Sequence, residues 1–320
     1  LKENVMFKRF QIIFMVIVLV ATPLSVRADI TVSLTKGFVQ KNKDRATIST
    51  TFNVDHAHKK PNKIGTGSED GDIHIAGRDS VVFLPMVAEI LNGKRENDTF
   101  KFLMGLTEGQ EVSLTGVWRL WFEHPGSEDQ IQKKNSVPIP DNTNPDHIFE
   151  FHPITKFGNF DCRDSFLPVA DGGKEFRGYS ADKAFADYEK RPGTITKTTN
   201  GIMITSNQAK YNYVEFDMRL TGKPKEVDDG YIVLANVFNA GSSDEEEPLT
   251  EQPRRMIFVK GSPPGDKIAT MSKGDSLHVL GIPRVNLNEV FAIANGMSGH
   301  DEYAFGGLPY EIIIVALLED

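Results

Sequence analysis

Two-residue alternation of apolar and polar positions runs through most of this chain. TVSLT at 31–35, ATISTTFNV at 46–54, DIHIAG at 72–77, EVSLTGVWRLWFEH at 111–124 and HIFEFHPIT at 147–155 alternate or are rich in β-branched and aromatic residues, so each reads as a strand. A second series follows at 194–198, 202–206, 213–220, 230–238, 254–261, 276–282, 289–294 and 310–318. Asn200–Gly201 lies between two of these runs and predicts a tight hairpin, because both residues tolerate positive φ. Helical periodicity is scarce. Ala181–Lys190 follows Ser180, a good N-cap, and stops before Pro192. Residues 84–92 read as a short helix opened by Pro85 and closed by Gly93, with an edge strand as the alternative. The stretches 55–70, 125–146 and 239–253 read as loops, the last with a solvated acidic run at 244–247.

The pattern also repeats. GQEVSLTGVWRL at 109–120 and GDSLHVLGIPRV at 274–285 share Gly, two polar residues, apolar, x, apolar, x, Gly, apolar, x, Arg, apolar. The first Gly is expected to turn into a strand and the second to permit a bulge or sharp coiling. A Phe-containing strand is expected after each copy, at 148–152 and 290–294. The expected fold class is therefore mainly β, with two small barrel domains and one or two short helices. Their boundary falls near 168–178, where Pro168, Gly172, Gly173 and Gly178 cluster, which gives 29–170 and 171–320.

Residues 1–28 read as a secretory signal peptide. Lys8 and Arg9 precede an apolar stretch from Phe10 to Ala21, Pro23 breaks it, and Val26 and Ala28 sit at −3 and −1 of a cleavage site before Asp29. This predicts a periplasmic or extracellular protein, with no segment after cleavage long and apolar enough to span a membrane. Of the 320 residues, 36 are Lys or Arg and 44 Asp or Glu, a net charge of −8. The removed segment carries Lys2, Lys8, Arg9 and Arg27 against Glu3, which takes the charge to −11. An acidic surface repels phosphates at long range, so nucleic acid is disfavoured as a partner, leaving an unknown ligand or an envelope protein. The single Cys, Cys162, excludes an intrachain disulfide and a multi-Cys metal site, and reads as a buried small side chain.

The densest chemistry lies in HIFEFH at 147–152 and FEHP at 122–125. On a strand Glu150 and His152 share one face, and Arg119, Trp121 and Glu123 share a face of the preceding strand. If the two strands pair, Arg119, Glu123, Glu150 and His152 meet. Arg119, Glu150 and His152 are the catalytic candidates, since a His–carboxylate pair moves protons or ligates metal. A cross-strand Arg119–Glu150 ion pair is the structural alternative. Trp118, Trp121, His124 and His147 are candidate ligand-binding residues, with Phe122 and Phe149 as further aromatics. EDGDIHIAG at 69–77 offers Asp70, Asp72 and His74 as candidate metal ligands, and turn chemistry alone also explains that piece. No cofactor is certain; a divalent cation is the one candidate.

DGDIHI (70–75), VAEI (87–90), VSLTGVWRLW (112–121) and FEFHPIT (149–155) together resemble a group of exported bacterial proteins whose fold is similar to the OB-fold, including its staphylococcal-nuclease-like branch. The resemblance covers about 69–160. It implies an OB-like fold for the first domain, and the reading for the whole chain is two small OB-like barrels. The nuclease branch would place a metal-binding carboxylate at Asp72, with Arg78 and Glu89 nearest to its Arg and Glu, though neither sits in the expected local motif. The expected function is an OB-type binding or interaction protein, with an oligosaccharide or peptide ligand and no catalysis. The alternatives are a metal-dependent phosphodiesterase and an envelope scaffold that uses strand 310–318 as a pairing edge.

Overall fold

The computed structural model describes residues 29–66, 69–133, 136–241, 247–299 and 301–319. The expected signal peptide at 1–28, His300 and most of the acidic run lie outside them. The main elements are, in order, β1 (Ile30–Thr35), α1 (Lys36–Asn42), β2 (Thr47–Ala57), β3 (Ile73–Asp79), β4 (Met86–Ile90), α2 (Asn97–Met104), β5 (Gln110–His124) and β6 (His147–Phe157). They continue with α3 (Ala181–Tyr188), β7 (Gly193–Lys197), β8 (Gly201–Ser206), β9 (Val214–Leu220), β10 (Gly230–Phe238) and β11 (Arg254–Val259). The last are α4 (Pro263–Ile268), β12 (Ser276–Val285), α5 (Leu287–Gly296), β13 (Glu302–Phe305) and β14 (Tyr310–Leu317).

The alternating strands close into barrels because each has one apolar face to bury. In β2, Ile48, Phe52 and Val54 point into the core while Ser49 and Thr51 face out. Strand β2 pairs with β3 and β5, β3 with β4, and β6 joins β5 antiparallel and β4 parallel, which closes the ring. The second barrel repeats this order: β9 pairs with β10 and β12, β10 with β11, and β14 joins β12 antiparallel and β11 parallel. A helix sits between the third and fourth strand of each ring, α2 in one and α4 in the other. Both rings therefore have the OB topology. A further sheet, in the order β13, β7, β8, β1, packs beside them and ends on the two-residue strand Gln130–Ile131.

The internal repeat is the fourth strand of each barrel. Gly109 and Gly274 turn into β5 and β12 with φ of 77° and 95°. Gly116 and Gly281 sit at breaks in register where their strands pair with β6 and β14. A Cβ at Gly116 would lie 2.8 Å from Phe151 Cβ, and one at Gly281 would lie 2.5 Å from Ile312 Cγ2. Glycine lets the coiled strand approach its neighbour this closely.

Three expectations are corrected. Residues 86–90 are a strand, not a helix: all five are buried and pair with β3, Met86, Val87 and Ala88 pair with β6 as well, and Pro85 stands just before the first of them. Residues 289–294 lie in α5, where the Asn286 side chain accepts from the amides of Asn288 and Glu289 and caps a helix. The second copy's Phe-containing strand is therefore absent, and β14 fills its place. That strand is central, flanked by β11 and β12 and buried along almost its whole length, so it offers no edge for an envelope scaffold. A hairpin at Asn200–Gly201 and a helix after Ser180 both form, although neither turn residue takes positive φ and the Ser180 side chain makes no capping bond. Among the described residues, no helix is long and apolar enough to cross a membrane.

Candidate functional site

Five of the eight histidines gather at one end of the first barrel, among Asp70, Asp72, Glu89, Glu123 and Glu150. Strand register brings them together. His74 stands opposite Glu89, Arg119 opposite Glu150, and His124 opposite His147. The group expected on the β5–β6 pair does meet. Arg119, fully buried, donates to Glu150 Oε2 and, at 2.8 Å, to Glu123 Oε2.

His152 is the hub. Its Nε2 lies 3.2 Å from Asp72 Oδ2 and 2.7 Å from the Tyr213 hydroxyl, which itself donates to Asp72 Oδ2 at 2.5 Å. Its Nδ1 lies 3.4 Å from both Glu89 Oε2 and Glu150 Oε2 and has no hydrogen-bond partner. Glu89 Oε2 also faces His74 Nε2 at 3.6 Å, and His58 stacks on His74 at 4.6 Å. Asp72 Oδ1 accepts from the Asn92 amide, and Asp70 Oδ1 accepts from Asn62 and from the Asp72 amide. Asp72, Glu89 and His152 each offer a ligand atom, and these atoms lie within 4.8 Å of one another.

Burial and charge set the protonation. Burial drives Asp70 up to about 7, with Asp72 adding to the rise. Glu89 is pushed well above the usual carboxylate range by burial and by its carboxylate neighbours. Burial would raise Glu150 too, but Arg119, His147 and His152 outweigh it and hold this carboxylate well below its usual value. Burial opposes protonation of His152, yet Glu89, Asp72 and Glu150 hold it well above the usual imidazole range. His74 goes the other way, down to about 3, because burial dominates and the neighbouring histidines add to it.

A cleft of about 650 Å³ opens over this cluster. Its floor includes His74, Glu89 and Glu150, and its wall includes Tyr179, Gln208, Tyr211 and Asn212 from the chain leading into the second barrel. His124 lines the cleft, as expected of a ligand-binding residue. His147 is buried behind it, stacked on His124 at 5.3 Å and 2.9 Å from Glu150 Oε1. Strand alternation puts His147 on the opposite face from Glu150, and irregular pairing between Leu120 and His124 undoes that.

The aromatic platform is corrected. Trp118, Trp121, Phe122 and Phe149 are all core residues with at most 1% exposure. Trp118 donates to Arg45 O and lies under the Arg284 guanidinium, while Trp121 packs edge-on against Tyr188. Arg78 also falls outside the site, held by Asp55. Glu89, His58 and Tyr213 complete the cluster without having been candidate site residues from local pattern. Glu89 appears there only through the resemblance, as the residue nearest to the nuclease branch's Glu, and Tyr213 lies 141 positions from the aspartate it touches. Cys162 is buried as expected, its thiol pushed up to about 12 chiefly by burial.

No family model and no curated protein matches the chain. Solved structures do. The single-stranded DNA binding protein from Thermus aquaticus matches at 10% identity over 90% of this chain and 93% of that one, with a TM-score of 0.21. A deletion mutant of the same protein matches at 12% identity over 86% and 97%, also with a TM-score of 0.21. The expectation that the acidic balance sets nucleic acid aside is corrected on physical grounds. Net charge sums the whole surface and does not describe one face of it. At this level of likeness the matches bring no ligand to this chain.

Proposed function

We propose that this chain is an exported OB-type binding protein that takes an oligosaccharide in the cleft beside its first barrel. The lining of that cleft supports the reading. Tyr179 is 40% exposed and meets Tyr211 edge to face at 5.1 Å, which offers an aromatic surface to sugar C–H groups. Asn62, Asn144, Gln208 and Asn212 line the same space above the imidazoles and carboxylates. Amides both donate and accept, as sugar hydroxyls require. A pocket with an apolar surface and convergent polar groups is the usual form of a small-ligand site.

Calorimetric titration of the mature protein with neutral oligosaccharides tests this, with single-stranded DNA and a peptide pool as comparators. The expected result is saturable sugar binding that Tyr179→Ala weakens about 10-fold, the order of one lost aromatic contact. Binding of DNA or peptide without any sugar overturns the reading. Cell fractionation with N-terminal sequencing tests export, and the expected mature start is Asp29.

A further inference from the structure

We propose that Asp72, Glu89 and His152 bind a divalent first-row transition-metal ion beneath the cleft. Three observations carry this beyond the sugar-binding reading.

The first is convergence. The three residues come from the loop before β3, from β4 and from β6, and their ligand atoms lie within 4.8 Å of one another. Oxygen and nitrogen ligands held about 2.1 Å from one ion stand roughly 3.4 Å apart in a tetrahedron. The 3.4 Å between His152 Nδ1 and Glu89 Oε2 already matches that edge.

The second is an orphaned atom. His152 has no exposed surface, and its Nδ1 has no hydrogen-bond partner. Buried polar atoms are nearly always satisfied, so an imidazole nitrogen that faces two carboxylates without bonding either calls for an explanation, and an ion would take the place of the proton those carboxylates favour on the ring. Its other nitrogen is already engaged by the Tyr213 hydroxyl. A ligand histidine has this arrangement, with one nitrogen held by an outer partner and the other left for the ion.

The third is the charge balance. Arg119 is committed to Glu150 and Glu123, while Asp72 and Glu89 face imidazoles, His152 for both and His74 for Glu89. A low-dielectric site with two such carboxylates favours a cation. One nitrogen and two oxygens form a donor set of intermediate hardness. It suits zinc, manganese or ferrous iron better than calcium or magnesium, which prefer oxygen alone. Glu89 lines the cleft floor, so the ion has an entry path.

The test uses the full mature chain, stripped with a chelator and dialysed, then offered zinc, manganese, magnesium or calcium singly. Elemental analysis is expected to give one zinc or manganese per chain, with a raised melting temperature. Glu89→Gln and Asp72→Asn keep the side-chain shape, and circular dichroism checks that they fold. Each is expected to weaken metal binding more than about 100-fold, beyond the roughly 10–100-fold cost of losing an outer-sphere partner. Tyr213→Phe removes such a partner and falls within that smaller range. His56→Gln, outside the cleft, controls for adventitious binding by surface histidine and is expected to bind as wild type. Folded wild-type protein that takes up neither zinc nor manganese overturns the proposal. So do Glu89→Gln and Asp72→Asn variants that bind as wild type does. Sugar titration repeated in chelator reports on the cleft separately, so either reading can fail without the other.

Discussion

At the scale of single residues, the candidate site divides into a part legible in the sequence and a part hidden from it. Arg119, Glu123, Glu150 and His152 were readable because strand alternation puts neighbours two residues apart on one face. Asp72 and His74 were readable for the same reason. Glu89 entered only through the family resemblance and Tyr213 not at all, because their partners are distant in sequence and are set by barrel closure. Protonation was equally hidden, since it depends on burial. Asp70 and His74 make this testable in chelator-treated protein. Asp70 sits near 7 when folded against 3.8 unfolded, so between these values the folded state holds the extra proton and stability falls as pH rises. His74 sits near 3 when folded against 6.5 unfolded, so the unfolded state holds the extra proton and stability falls as pH drops. The two slopes oppose each other, each up to about 1.4 kcal/mol per pH unit. Asp70→Asn removes the first and keeps the acceptor for Asn62. Its stability relative to wild type is expected to climb by up to that slope from pH 4 to pH 7, as measured by urea unfolding. A difference that stays flat across this range contradicts the assignment.

At the scale of elements, strands were legible and, apart from α3, helices were not. A strand buried on one face writes its period into the sequence, and most of the barrel strands were readable this way. Residues 86–90 and α5 defeat the method for opposite reasons. The first is buried on both faces and loses its period. The second carries β-rich residues, but a cap at Asn286 decides its conformation. The repeat on β5 and β12 carried more than strand shape. Its arginines occupy equivalent places: Arg119 faces Glu150 across the β5–β6 pair, and Arg284 faces Glu311 across the β12–β14 pair. Arg284 Nε donates to Glu311 Oε1 at 2.6 Å, Nη1 to Trp118 O at 3.0 Å and Nη2 to Arg45 O at 3.0 Å. Its guanidinium also lies 3.5 Å from the Trp118 ring centre. A lysine ammonium cannot serve this fork and stack together. Arg284→Lys is therefore expected to cost about 3 kcal/mol, the order of breaking a buried pair. Glu311→Gln should cost a similar amount, because it leaves Arg284 and Arg255 facing a neutral amide. Denaturant unfolding of both variants checks this, and a loss under about 1 kcal/mol would show that the crossing is dispensable.

At the scale of the whole molecule, the two barrels hold each other through reciprocal contacts. Arg119 of the first donates to Pro283 O of the second at 3.0 Å, and Arg284 of the second donates to Trp118 O of the first at 3.0 Å. Each arginine thus satisfies the carbonyl just before its counterpart. Asp229 accepts from the amides of Ala46 and Thr47 at 3.0 and 2.8 Å. Tyr213, just before β9, reaches the buried Asp72. Apolar packing joins the halves as well, since Ala46, Leu91 and Val117 share one core cluster with Ile257, Leu280 and Ile313. Strand β1 belongs to the N-terminal half by sequence yet pairs along its full length with β8. Separating the chain near residue 171 would leave Arg119, Asp72 and β1 without these partners, and would expose the shared core to water. Independent domains would unfold in two calorimetric steps; interlocked ones unfold in one. The expected result is a single transition whose calorimetric and van't Hoff enthalpies agree. Residues 29–170 expressed alone are expected to lack dispersed amide resonances, and adding residues 171–320 should restore them. Two resolved transitions, or a folded isolated fragment, would show that the barrels are independent modules and that the Arg119–Arg284 crossing only orients them.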